Sequence, residues 1–184
     1  MSNSITRKKA ADARQEQIAA KNPQFEPEEG PPRFIADVML GRLARWLRIA
    51  GFDVLYSNSF SDDELIDVSC RERRILLSRD TRLLIRRTVR SFIYIESQDV
   101  LEQVRQVFKA VNVGSLDSLL TRCLSCNEAL LAIPRESVRK AVPEYVYRTQ
   151  KSFKSCPTCG RVFWAGTHRA SVVRILEDLL ASRC

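Results

Sequence analysis

RFIADVMLGRLARWLRIAGFDVLY, residues 33–56, reads as a strand, a helix and a second strand in quick succession. Phe34-Ile35-Ala36 is a short apolar run ending on Asp37, which predicts a strand over Phe34–Asp37. Leu40, Leu43, Leu47 and Ala50 then fall on one face of a helix over Met39–Ala50. Gly51 closes that helix, and Asp53–Tyr56 supplies the second strand. Strands joined through a helix in this way pair in parallel.

The alternation continues outward. Ser61 opens a helix running to about Arg73, and Ile75–Leu77 is a third strand followed by a short helix near Thr81–Arg87. Phe92–Ile95 is a fourth strand, and Asp99–Val111 a helix with Leu101, Val104, Phe108 and Val111 inward. The expected fold class is therefore α/β: a parallel sheet with helices on both faces, over residues 33–118. Residues 1–32, rich in proline near their end, read as a disordered leader. Their one candidate element is a short helix around Arg7–Lys21, whose apolar face is little more than alanines and Ile18. Residues 119–184 change character, with paired cysteines, prolines at 134, 143 and 157, and a closing helix from about His168 to Ala181.

In an open α/β sheet, ligands bind in the crevice at the carboxyl ends of the strands. Three successive strand–helix junctions here carry acids: Asp37, then Ser61-Asp62-Asp63-Glu64, then Asp80 after Leu76-Leu77-Ser78-Arg79. Carboxylates converging on one crevice repel unless a cation sits among them, and oxygen ligands select magnesium or manganese. Asp37 and Asp80 are the expected direct ligands, with Asp63 or Asp62 completing the set. Each junction has a plain structural alternative. Asp37 and Asp80 could cap helices, Asp80 could pair with Arg79, and Ser61-x-x-Glu64 has the form of a capping box.

Charge and cysteines sharpen the picture. The 184 residues carry a net +8, distributed as zero over residues 1–32, +2 over 33–120 and +6 over 121–184. That skew suggests a polyanionic partner held by the last third. Eight arginines (71, 73, 74, 79, 82, 86, 87 and 90) lie within twenty residues, and Arg42 and Arg45 share the polar side of the first helix. Guanidinium groups recognise phosphates, although a solvated helix surface would look the same. Four of six cysteines form two C-x-x-C pairs, Cys123/Cys126 and Cys156/Cys159, separated by 29 residues. Two such knuckles make a tetrahedral thiolate site for structural zinc, with no position left for substrate. A reduced, cytoplasmic compartment fits these cysteines. With no apolar run near the roughly 18–20 residues that span a bilayer, no membrane role is expected.

Taken together, Asp37-Val38-Met39-Leu40-Gly41-Arg42-Leu43-Ala44-Arg45-Trp46-Leu47-Arg48, Asp62-Asp63-Glu64-Leu65, Ile75-Leu76-Leu77-Ser78-Arg79-Asp80 and both knuckles carry a family resemblance. So does the Arg161-Val162-Phe163-Trp164-Ala165-Gly166-Thr167-His168 segment. The chain resembles the PIN-like ribonuclease domains named after the C-terminal region of the mutator-seven exonuclease, from about Arg33 to Leu180. The resemblance implies a PIN-like nuclease core with a zinc ribbon, and catalytic acids at Asp37, Asp62, Asp63 and Asp80. It makes RNA the expected partner, endonucleolytic cleavage the expected reaction and a homodimer one candidate assembly. Arg42, Arg45, Arg79 and Arg82 near the acids, and Lys151, Lys154, Arg161 and His168 in the ribbon, are the expected RNA contacts. Trp46, Phe163 and Trp164 could stack on bases or serve as core. A fourth acid could be Glu64, Glu96 or Asp99. The rival function is an RNA-binding module whose acids no longer catalyse. A receiver or aspartyl-phosphate phosphatase fits poorly, with Met39 two residues after Asp37 and no lysine over residues 33–108.

Overall fold

The computed structural model describes residues 13–14, 16–18, 30–166 and 168–181. Four strands, β1 (Arg33–Ala36), β2 (Asp53–Tyr56), β3 (Ile75–Ser78) and β4 (Phe92–Tyr94), form one parallel sheet in the order β2-β1-β3-β4. The central β3 is Ile-Leu-Leu-Ser and buried at every residue, as a strand covered on both faces must be. Helices α1 (Gly41–Ile49), α2 (Asp62–Arg71), α3 (Thr81–Leu84) and α4 (Val100–Ala110) link or follow these strands. Met39 and Leu40, expected as the start of the first helix, belong instead to a 3₁₀ turn over Val38–Leu40.

The apolar residues divide by face. Leu43, Leu47, Val104 and Phe108 from α1 and α4 pack with Phe34 and Leu77 on one side. Leu65 and Ile66 of α2 and Leu83 and Leu84 of α3 pack with Ile35, Leu76 and Phe92 on the other. Burying side chains of this size stabilises by about 1.5–3 kcal/mol each. Most of the leader lies outside the described residues. Within it, Ile18 is helical and only 4% exposed, and it joins the second cluster.

The last third forms a three-stranded antiparallel sheet, β5 (Leu131–Ile133), β6 (Phe153–Ser155) and β7 (Val162–Trp164), in that order. A short helix, α5 (Glu144–Thr149), precedes β6, and Val138, Val142 and Phe153 make a small core of their own. The closing helix α6 (His168–Ala181) returns to the first layer, where Leu176 and Leu179 are buried with α1 and α4. Gly51 marks the other tie. Its φ is +99°, and a Cβ there would lie 2.1 Å from the Ser118 carbonyl oxygen, so the end of α1 and the 116–120 segment meet only across a glycine.

Candidate active site and metal centre

The chain leaves β1 toward β2 on one side and returns to β3 on the other, so the β1/β3 boundary is the switch point where a crevice opens. Ala36 pairs with Leu77, and the Asp37 amide donates to the Leu77 carbonyl at 3.0 Å. That register brings Asp37, 6% exposed, beside the fully buried Ser78. The Ser78 hydroxyl donates to Asp37 Oδ2 at 2.5 Å and accepts from the Asp80 amide at 2.9 Å. Asp80 Oδ1 accepts from the Arg82 amide at 2.7 Å, which caps α3. Asp80 thus caps α3, the structural alternative foreseen for it, whereas Asp37 makes no side-chain cap. The second oxygen of each carboxylate has no protein partner among the described residues. Ser78 is a site residue the sequence reading did not single out. Its one signal is a hydroxyl ending an otherwise apolar strand two residues before an acid.

The middle segment behaves differently. Ser61 and Glu64 complete the capping box: the Glu64 carboxylate takes both the Ser61 amide and hydroxyl at 2.8 Å. The backbone bond first, then the hydroxyl, hold its carboxyl below the ordinary value. Asp62 and Asp63 both pair with Arg86, at 3.1 and 2.6 Å. Asp37, Asp63 and Asp80 therefore do not close on one point. Among the described residues, only the four cysteines bring three or more potential ligand atoms within 4.8 Å of one another. Of the candidate fourth acids, Glu64 is taken by its box and Asp99 caps α4 through the Leu101 and Glu102 amides. Glu96 makes no side-chain hydrogen bond or ion pair among the described residues. It follows Ile95, whose amide donates to the Ser78 carbonyl, so it stands at the same end of the sheet.

The arginines sort by partner. Arg71 pairs with Asp67, Arg74 with Asp53 and Glu72, and Arg86 with Asp62 and Asp63, so these three serve the fold. Arg42, Arg45, Arg79 and Arg82 make no side-chain hydrogen bond or ion pair among the described residues. All four belong to the segments that leave the carboxyl ends of β1 and β3. In the last third, Lys151 is exposed, Lys154 half-buried, and Arg161 donates to Ser125 Oγ. Thr167 and the His168 side chain lie outside the described residues. Trp46 packs against the first core cluster, whereas Trp164 is 39% exposed.

Each cysteine knuckle closes by backbone bonds, Asn127 amide to Cys123 carbonyl and Gly160 amide to Cys156 carbonyl, both at 2.9 Å. The residue after each second cysteine is left-handed, Asn127 at φ +67° and Gly160 at φ +68°, types that tolerate that conformation. Cys123 Sγ and Cys159 Sγ are 3.7 Å apart. A tetrahedron with zinc–sulfur bonds of 2.3 Å has edges of about 3.8 Å, so the cluster fits a zinc ion. Burial pushes the Cys156 thiol up, but hydrogen bonds from the Cys159 and Thr158 amides outweigh it and bring it to about 7. A hydrogen bond with the Cys159 sulfur, aided by burial, pushes Cys126 up to about 12. Sulfurs this crowded resist ionising together, and a divalent cation removes that conflict.

The first knuckle is bolted to the sheet. Arg48 of α1, 5% exposed, donates to the Val54 carbonyl and, across the chain, to the carbonyls of Leu124 and Ser125 at 3.0 and 3.1 Å. Burial lowers its pKa from the usual guanidinium value, yet an arginine keeps its charge at neutral pH, so these carbonyls solvate it. Asn127 Oδ1 accepts from the Val54 amide at 2.9 Å, and its Nδ2 donates to Asp53 at 2.7 Å. Burial pushes the Asp53 carboxyl up, but hydrogen bonds from Arg74 and Asn127 overcome this and hold it below the ordinary value. A depressed carboxyl stabilises the fold above its unfolded value of about 3.9, and that contribution is lost as pH falls through the folded value. Urea midpoints followed from pH 5 to pH 3 should therefore fall less steeply in Asp53→Asn than in the wild type. Any loss of metal in acid is common to both chains, and equal slopes would show that this network carries no acid linkage.

A family model described as the Mut7-C RNAse domain matches residues 32–176. No curated protein and no solved structure matches the chain.

Proposed function

The chain belongs to the Mut7-C RNAse domain family, and from that premise we propose that it is a metal-dependent ribonuclease acting at Asp37 and Asp80. One observation carries the reading. A single buried hydroxyl, Ser78, donates to the Asp37 carboxylate and accepts from the Asp80 amide at the β1/β3 crevice, and each of these two carboxylates keeps one oxygen without a protein partner among the described residues. The donor set is all oxygen, which suits magnesium or manganese, and Asp37 and Asp80 would hold the ion. Such an ion, when bound, stabilises charge on the scissile phosphate and lowers the pKa of water. Glu96 is the acid we assign as a fourth member, because Glu64 and Asp99 are occupied as caps. Asp62 and Asp63 join only if they leave Arg86. Arg42, Arg45, Arg79 and Arg82 would bind RNA phosphates. The four cysteines hold structural zinc, and Lys151, Lys154 and Arg161 add positive charge along the ribbon. We take the core to be PIN-like, its cleavage endonucleolytic with 5′-phosphate and 3′-hydroxyl products, and its location cytoplasmic. A homodimer is the assembly we would look for.

One observation favours a second reading, an RNA-binding module without turnover. Arg86 already offsets one of the two negative charges on Asp62 and Asp63, so this carboxylate set needs a cation less than free acids would. Zinc-loaded protein incubated with end-labelled single-stranded RNA in magnesium, in manganese and in neither separates the two. Shortened products only with an added metal, bearing 5′-phosphates, are the expected result. Tight, salt-sensitive binding with no product in either metal would replace the first reading with the second.

No helix among the described residues is long and apolar enough to cross a membrane.

A further inference from the structure

Away from the acids, a cavity of about 130 Å³ opens between the 119–124 segment, the ribbon sheet and the first turn of α6. Its floor is apolar: Leu119, Leu120, Leu124 and Leu130, all partly exposed to it. Phe163 and Trp164 of β7 also line it. Three cations, Arg122, Lys154 and Arg169, join Ser152 and Ala165 in the rest of the lining, which contains no carboxylate. Lys154 pairs in register with Phe163 across β6 and β7, so charge and ring stand side by side. The Lys154 and Arg169 side chains make no ion pair or hydrogen bond among the described residues, while Arg122 bonds the Asn127 carbonyl and lies 3.9 Å from Asp53.

Size decides what enters. An apolar cavity of about 150 Å³ accepts a benzene ring, whereas pockets for whole drug-sized ligands run from about 300 Å³. One flat ring fills this volume, which leaves the three cations of the lining for its polar attachments. A planar ring joined to anions on both sides is a nucleobase in a polynucleotide. A base within a duplex is stacked and cannot enter, so the strand must be single.

We propose that this cavity takes one unstacked base of a single-stranded RNA, with Trp164 and Phe163 against the ring and Lys154, Arg169 and Arg122 on the adjoining phosphates. The choice of RNA rests on the ribonuclease reading above; the base-and-phosphate chemistry does not. The site would anchor the strand by one single-ring base, through its stacking face, at a distance from the acids.

Fluorescence anisotropy with the full-length, zinc-loaded chain tests this, without added magnesium or manganese. The probes are a fluorescein-labelled 12-nucleotide oligouridine, an oligomer of the same length lacking bases, an RNA duplex and a 12-nucleotide oligothymidine. Trp164→Ala should weaken oligouridine binding roughly 5- to 100-fold, and Trp164→Phe should recover most of it. Lys154→Ala and Arg169→Ala should each reduce the slope of log affinity against log salt by about 0.7. The baseless oligomer should bind more weakly and not respond to Trp164→Ala. Oligouridine binding within twofold of wild type in Trp164→Ala, or equal affinity for the baseless oligomer, overturns the proposal. So does tighter binding of the duplex, and oligothymidine bound more tightly than oligouridine overturns the assignment to RNA. These outcomes are independent of turnover: a chain that cuts nothing can still show the Trp164 dependence, and an active nuclease can lack it.

Discussion

Asp37→Asn is expected to lower the RNA-cleavage rate by about 10³-fold, Ser78→Ala by about 10- to 100-fold, and Asp63→Asn by less than tenfold. The ranking follows from where each side chain is held. Asp37 is buried at the switch point and keeps one oxygen without a protein partner among the described residues, so the amide takes a full negative charge away from the proposed cation. Charge stabilisation by a metal is worth several kcal/mol, and about 4 kcal/mol corresponds to that thousandfold. The asparagine keeps an oxygen to accept from Ser78, so the melting midpoint should move by only a few degrees. Ser78 touches no substrate; it is a positioning residue, and groups that orient ligands typically cost 10–100-fold when removed. Losing its hydroxyl also strands Asp37 Oδ2 and the Asp80 amide, a stability cost of about 1–3 kcal/mol. Ser78→Thr, which restores a hydroxyl, should recover activity. The manganese dependence of the rate separates positioning from simple destabilisation: Ser78→Ala should need more metal for half-maximal rate at a temperature where it is fully folded. Asp63 pairs with Arg86 at 2.6 Å, and Arg86 also holds Asp62, so the loss of Asp63 leaves Arg86 on Asp62 rather than opening a gap in the crevice. A rate for Asp37→Asn equal to wild type would remove the assignment. A rate for Asp63→Asn as low as for Asp37→Asn would show that the middle acids leave Arg86 to act.

These side chains differ in how far the sequence could reveal them, and the difference is one of range. The sheet was readable because each strand and amphipathic helix declares itself locally; the expected Asp53–Tyr56 strand matches β2 in both bounds. Asp37 and Asp80 were readable for the same reason, as acids ending apolar runs. Ser78 was not, because its hydrogen bond to Asp37 spans 41 residues and depends on the β1–β3 register. The pairing of Arg86 with Asp62 and Asp63 spans a helix, a strand and a further turn, so those acids could be placed at a junction but not aimed. The capping box, by contrast, lies within four residues and was visible at once. The cysteine spacing announced a metal site but not what surrounds it. Asn127 follows its knuckle just as Gly160 follows the other, and that symmetry was a signal for a turn. Nothing local signalled that the Asn127 side chain would bridge Val54 and Asp53. The closing helix showed its length, but its packing against α1 and α4 was set by tertiary fit.

Removing the proposed zinc from the four-cysteine cluster should therefore loosen more than the ribbon. Cys156→Ser, or exhaustive chelation of the wild type, is expected to lower the melting midpoint of the parallel-sheet core by roughly 10 °C or more. Structural zinc contributes about 10–16 kcal/mol in small zinc-bound folds, comparable to or larger than the total stability of a typical domain. The ribbon's own core is three buried residues, so little else holds the knuckles together. When the first knuckle opens, the Leu124 and Ser125 carbonyls leave Arg48, and Asn127 leaves the Val54 amide and Asp53. Arg48 then keeps a buried charge with only the Val54 carbonyl as partner, and removing partners from a buried charge costs about 3–5 kcal/mol. At about 2–4 °C per kcal/mol for a chain of this size, that loss alone gives a shift near 10 °C. Two probes distinguish a transmitted effect from a local one. Far-ultraviolet dichroism follows the sheet and helices, while hydrogen exchange at the Val54 amide reports the latch itself. Arg48→Met, which fills the same space without charge, should make the core's midpoint less dependent on zinc. A metal-free chain that exchanges its ribbon amides freely, yet melts its core at the zinc-loaded midpoint, would show that the latch transmits nothing.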